Sequence, residues 1–124
     1  MKEVYTSGNE LEAKTAAYFP QYFNCSNDSA EIDDRSGKKG VEAESVTIGT
    51  VGEKTYAFIG LERIGGVMAY DITNPDKILF ANYINSRDFS KDIAGDVSPE
   101  GLCMISASES ADGNAYLLVR CFKL

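Results

Sequence analysis

A chain of 124 residues is one domain at most, and its 44% apolar content, with Tyr and Phe as the bulky fillers, supports a modest core. A net charge of −7, from 12 basic and 19 acidic side chains, leaves no basic stripe for a nucleic-acid backbone or an anionic membrane surface. No apolar run approaches the roughly 20 residues that cross a bilayer, and the absence of histidine and of any CxxC pair nearly excludes a Cys/His zinc site.

In chain order, residues 1–8 read as a loose or edge segment with no apolar h-region of a signal peptide. The next segment, 10–23, opens with a helix over Glu10–Phe19, rich in helix formers. Asn9 is its expected N-cap, and Glu10 and Glu12 suit its first turn. Leu11, Thr15, Tyr18 and Phe19 share one face, and Pro20 ends the helix before Tyr22 and Phe23. Residues 24–43 read as a long polar, acidic loop with Ile32 as its apolar anchor. Asn27, Asp28, Glu31, Asp33 and Asp34 offer hard oxygen ligands of the kind Ca²⁺ takes, although their spacing is not that of an EF-hand. A solvated loop with Asx turns explains the same residues, and both readings stay open here.

Residues 44–84 hold four short apolar runs, each closed by a turn signal. Val46–Val51 stops at Gly52, Thr55–Leu61 at Gly65-Gly66, Val67–Ile72 at Asn74-Pro75, and Ile78–Ile84 at Asn85. Four strands joined by hairpin-length loops make an antiparallel meander, read as one full blade of a β-propeller. In the second strand Tyr56, Phe58 and Gly60 face one way and Ala57, Ile59 and Leu61 the other, as in a sheet covered on both faces. A connector, 85–99, leads to two more strands near 100–106 and 114–120. Glu44-Ser-Val-Thr-Ile resembles Glu100-Gly-Leu-Cys-Met-Ile, and Tyr56-Ala-Phe-Ile resembles Tyr116-Leu-Leu-Val, at offsets of 56 and 60 residues. The expected fold is therefore mainly β, about one and a half propeller blades with one short N-terminal helix, the half blade occupying 100–124. Its open faces would be covered by the helix and loop, by self-association, or by the remainder of a propeller. Cys103 and Cys121 fall on the last two strands, close to opposite one another; a disulfide between them and two buried free thiols are both open.

Asp33-Asp34-Arg35-Ser36-Gly-Lys-Lys-Gly40-Val-Glu42-Ala-Glu44 and Tyr56-Ala-Phe-Ile-Gly-Leu-Glu-Arg63-Ile-Gly-Gly-Val-Met-Ala-Tyr-Asp71-Ile-Thr-Asn-Pro75 carry a resemblance to a known family. They are similar to the "DDRSDxKGPEPEG" and "YAFVGLERxGGxxxYDVTxP" segments of the choice-of-anchor I, or mesenchyme-specific cell surface glycoprotein-like, propellers. Asn85–Ser90 and Asp96–Gly101 also look like family segments, so the resemblance spans about residues 8–118. Val41-Glu42 stands where the family has a Pro-Glu pair, and Ser45 where it has Gly. Residues 120–124 depart from the family's continuation, as an end in mid-repeat would. The resemblance implies an extracellular or surface-anchored propeller; some relatives carry an alkaline phosphatase or 5′-nucleotidase-associated label.

A phosphatase requires metals or an arginine clamp. The residues that could serve are Glu42, Glu44, Arg63, Arg87, Asp88, Asp96 and Glu100. Glu44 and Glu100 begin equivalent strands, and Arg63 and Arg87 follow strand ends, so these four form the candidate ligand site. The alternative is that the two glutamates pair with the two arginines as blade-to-blade salt bridges. No His general base, GxSxG or P-loop is present. The expected function is accordingly a non-catalytic binding or scaffold module with no cofactor, unless Ca²⁺ occupies 27–34. The alternative is part of an alkaline phosphatase-like phosphoesterase.

Overall fold

The computed structural model describes residues 1–122; the last two positions of the 100–124 segment lie outside them. A short helix, α1 (Glu10–Tyr18), runs into a 3-10 turn at Pro20–Tyr22. Six strands follow: β1 (Ala43–Val51), β2 (Lys54–Leu61), β3 (Val67–Asp71), β4 (Leu79–Ile84), β5 (Pro99–Ile105) and β6 (Tyr116–Cys121). The first four form one antiparallel sheet in the order β1-β2-β3-β4, and β5-β6 form a separate antiparallel hairpin. Each turn is made where glycine permits it. Gly52 closes β1-β2 at φ 62°, and Gly65 and Gly66 close β2-β3 at 92° and 82°, values that an L side chain resists.

Strand alternation gives the meander two working faces. Ile59, Leu61, Met68, Tyr70 and Tyr83 point to one side, where they meet Leu11 and Phe19 of the N-terminal segment. Aromatic edges lock that contact: Tyr18 and Phe19 lie 5.5 and 5.7 Å from Tyr83, and Tyr22 stacks on Phe89 at 4.3 Å. The other side, with Phe58, Val67, Ala69 and Ile84, faces Leu117 and Val119 of the hairpin across a cavity of about 680 Å³. Gly49 lets the hairpin approach, since a Cβ there would sit 2.3 Å from Met104 Cγ.

The hairpin is a structural copy of β1-β2. Ala43 pairs with Leu61 as Pro99 pairs with Cys121, and each first strand then bulges at its glutamate, Glu44 or Glu100. The residue before each pair holds a positive φ, 48° at Glu42 and 50° at Ser98. Its carbonyl accepts from the residue after the second strand, Glu62 N–H to Glu42 O and Phe122 N–H to Ser98 O, both at 2.9 Å.

Several expectations need correction. Asn9 is the N-cap residue, as expected, but its side chain makes no capping bond; its carbonyl enters the helical pattern, accepting from Ala13 N–H at 3.0 Å. The segment 24–43 is not solvated throughout: Asn24, Cys25, Ser26, Asn27, Val41 and Glu42 are buried, while Ile32 is 49% exposed. The anchors are Cys25 and Val41, at the two ends where the segment passes under the sheet. Cys103 pairs with Leu118 and Cys121 with Pro99, so the two cysteines are not cross-strand partners. All three thiols are free, and Cys103 is exposed on the hairpin's outer face.

Candidate functional site

At the sheet end where β1 begins and β2 ends, four segments converge on a set of charged side chains. Glu42 is held there by its left-handed backbone, which turns the chain into β1. Its carboxylate is buried and meets three cations: Arg63 Nε, Arg35 Nη2 at 3.3 Å and Lys39 Nζ at 3.3 Å. Burial pushes the Glu42 carboxyl up, but the bonds from Arg63 and Lys39, with the charges of Arg63 and Arg35, outweigh it and hold the group low. Arg63 also donates from Nη1 to Asn27 Oδ1 at 2.9 Å and lies 3.4 Å from Glu62 Oε1.

Asn27 then ties the two sheets together. Its Nδ2 donates to Ser98 Oγ at 2.8 Å, while its Oδ1 accepts from Arg63. Ser98 is the hairpin's counterpart of Glu42, so one buried amide bridges the same position in both copies of the repeat. Arg87, 6% exposed, performs a similar service with backbone. Its guanidinium donates to Ser26 O at 2.7 Å, Arg63 O at 3.0 Å and Asp92 O at 2.8 Å, and lies over the Phe89 ring at 5.1 Å. Its Nη1 also reaches Cys25 Sγ at 3.6 Å. Burial pushes the Cys25 thiol up despite that neighbour, so it is a neutral core group and not an activated nucleophile.

The residues expected to form the site are therefore not gathered as a quartet. Arg63 and Arg87 lie within the same network, Arg87 donating to the Arg63 carbonyl. Glu44 stands at the edge of the network and is exposed; Glu100 is exposed on the hairpin. Neither glutamate forms an ion pair with Arg63 or Arg87 among the described residues; the carboxylates on Arg63 are Glu42 and Glu62. Arg87 has no carboxylate partner among the described residues and uses carbonyl dipoles instead. The blade-to-blade salt bridges are thus replaced by Glu42–Arg63 within one copy and by Asn27 between copies.

Glu42, Glu44 and Glu62 bring carboxylate oxygens within 4.8 Å of one another, an arrangement with oxygen ligands for a hard cation. Glu42 is already neutralised by three cationic neighbours. Burial raises the Glu62 carboxyl; Arg63 opposes the rise, and Glu44 and Glu42 add to it. Asp28, Glu31, Asp33 and Asp34 belong to no such group of three among the described residues. Asp28 accepts from Ser26 Oγ at 2.6 Å and Asp33 from Ser36 Oγ at 2.8 Å, both bonds of local turns. Sequence reasoning missed Ser98 and the structural use of Asn27, because their contact spans 71 positions.

A family model described as "Choice-of-anchor I domain" matches residues 1–75. Gigasin-3a from Magallana gigas is 33% identical to the chain over 79 residues, a match covering 60% of this chain and 28% of that protein. No solved structure matches.

Proposed function

The chain belongs to the choice-of-anchor I domain family, and on that premise we propose that it is a non-catalytic binding or scaffold module of an extracellular or cell-surface protein. The meander serves as one β-propeller blade and the hairpin as the first half of the next. The observation that supports this reading is the use of the buried charges. Arg63, Arg87 and Glu42 are engaged with one another, with backbone carbonyls and with Asn27, and they hold four segments together. A phosphoryl group needs a guanidinium fork or a metal with an open position to receive it, whereas the Arg63 and Arg87 forks are already turned onto internal acceptors.

The test is hydrolysis of p-nitrophenyl phosphate by the purified chain, with and without Ca²⁺, Mg²⁺ or Zn²⁺. The expected rate equals that of buffer in every condition. Metal-dependent turnover that disappears in Glu100→Gln would overturn the reading in favour of a phosphoesterase.

A further inference from the structure

The two copies of the repeat differ at one edge. In the meander, β2 is paired on both sides, to β1 and to β3. In the hairpin, β6 is paired to β5, and among the described residues its other edge is open. Strand alternation says which backbone groups stand there. In the meander, Glu62 N–H bonds towards β1, and Leu61 N–H bonds towards β3, to Gly66 O at 3.1 Å. In the hairpin, Phe122 N–H bonds towards β5 as Glu62 does towards β1. The N–H and C=O groups of Leu117 and Val119, and the N–H of Cys121, therefore point to the open edge. Unpaired edge groups of this kind are a template for a further strand.

The same edge borders the cavity between the sheets. β5 lies against β1 and β2, and Leu117 and Val119 of β6 wall the cavity on that side. Its floor runs on across β3 and β4, through Val67 and Ala69 to Ile84, which is 67% exposed. The cavity thus occupies the place that β3 would take in a second copy of the repeat. The pairing register makes this specific. β3 pairs with β2 as Val67↔Gly60, Ala69↔Phe58 and Asp71↔Tyr56. Transferred to β6, a strand of the same length would run antiparallel to it from Arg120 to Tyr116. Its second and fourth residues, the counterparts of Met68 and Tyr70, would stand opposite Val119 and Leu117. They would bond the open edge through their own backbone and turn their side chains into the cavity. We propose that the open edge of β6 and the adjoining cavity bind an extended strand of another polypeptide, apolar at its second and fourth positions, by strand addition.

This pairing rests on the reading of the hairpin as the first half of a second blade, and it gives that module its partner. A second copy of the chain does not supply the strand from its own β3, which is already paired on both edges. The incoming strand's first residue falls opposite Arg120, which is exposed where the meander has Gly60. An acidic side chain at that first position therefore adds a cross-strand ion pair.

The probe is a synthetic peptide of residues 66–73, the sequence of β3 with its flanks, titrated into the isotope-labelled chain and followed by NMR. Saturable shifts of the Leu117, Val119 and Cys121 amides are expected, half complete at or below about 1 mM peptide. Solvent exchange of the same amides is expected to slow at least about tenfold at saturation. N-methylation of the peptide at Met68 or Tyr70 removes a donor aimed at β6 and is expected to weaken binding at least about tenfold. N-methylation at Ala69, whose N–H points away from β6, is expected to leave binding unchanged, and Val67→Glu in the peptide to tighten it at low salt. A peptide that gives no saturable shift up to its solubility limit overturns the proposal. Equal losses from the methylations at Tyr70 and Ala69 also overturn it, because they mark adhesion to an apolar cleft without strand pairing. So does a chain found dimeric by light scattering with its β6 amides already protected, which would assign the edge to a second copy. None of these results bears on phosphate-ester hydrolysis: turnover of p-nitrophenyl phosphate overturns the non-catalytic reading whatever the peptide does.

Discussion

Arg87 brings its charge into the interior with no carboxylate to meet it among the described residues, and three carbonyl oxygens from three segments accept its protons. A planar fork suits that task, because it fixes several donors in one plane where a lysine offers a single point charge. Glu62 presents the opposite case, a buried carboxyl beside two others. Burial, Glu44 and Glu42 raise it above the ordinary carboxylate range, against Arg63. A folded-state pKa above the unfolded value favours the protonated form in the native state. Its contribution is then fully present below about pH 4, the range of an unperturbed glutamate, and is lost as pH rises through the raised folded value. Glu42, held low, behaves in reverse: its contribution is present at neutral pH and lost as acid protonates it. Glu62→Gln should therefore raise stability at pH 7–8, by no more than about 1 kcal/mol, and flatten the decline between mildly acidic and neutral pH. Urea denaturation across that range checks it, and an unchanged pH slope would show that Glu62 does not titrate with folding.

At the scale of elements, the turns fix the strands. Gly66 combines φ 82° with a backbone obstruction, since a Cβ would lie 2.6 Å from Ile84 O; Gly52 has φ 62° and open space around it. The left-handed conformation alone costs an L residue about 1–2 kcal/mol. Gly52→Ala should lose about that much, and Gly66→Ala clearly more, because β4 must also move. Thermal unfolding of both variants compares them; equal losses would mean that the β3-β4 edge yields freely. These elements were legible in the sequence because their signals are local. Apolar runs closed by Gly52, Gly65-Gly66 and Asn74-Pro75 gave the strands to within a few residues, and the 56- and 60-residue offsets anticipated the repeated register. The charged network was not legible in the same way. Glu42, Arg63, Arg87 and Asn27 were each visible as polar residues in loops, but their contacts cross 21, 36 and 61 positions, which no local pattern reports. Nor could alternation show that Cys25 and Val41, set among polar neighbours, would be the buried ends of the 24–43 segment.

For the whole molecule, the weak boundary is between the meander and the hairpin. The meander has a packed aromatic layer on one face, whereas the hairpin meets the other across a cavity and through few polar bonds, among them Asn27 to Ser98 and Ser45 Oγ to Pro99 O at 3.4 Å. Loss of dispersion contacts along a void lowers the cost of separating the two sheets, so the hairpin should open as a unit before the meander unfolds. Hydrogen exchange at dilutions where single chains predominate should then show β5-β6 amides exchanging at least about tenfold faster than those of β2-β3. Asn27→Ala should widen the gap, because it removes the bridge to Ser98 and leaves Arg63 only its carboxylates. Equal protection of the two sheets in dilute solution would instead mean that they fold as one cooperative unit, with the Asn27 bridge and the Gly49–Met104 contact sufficient to join them.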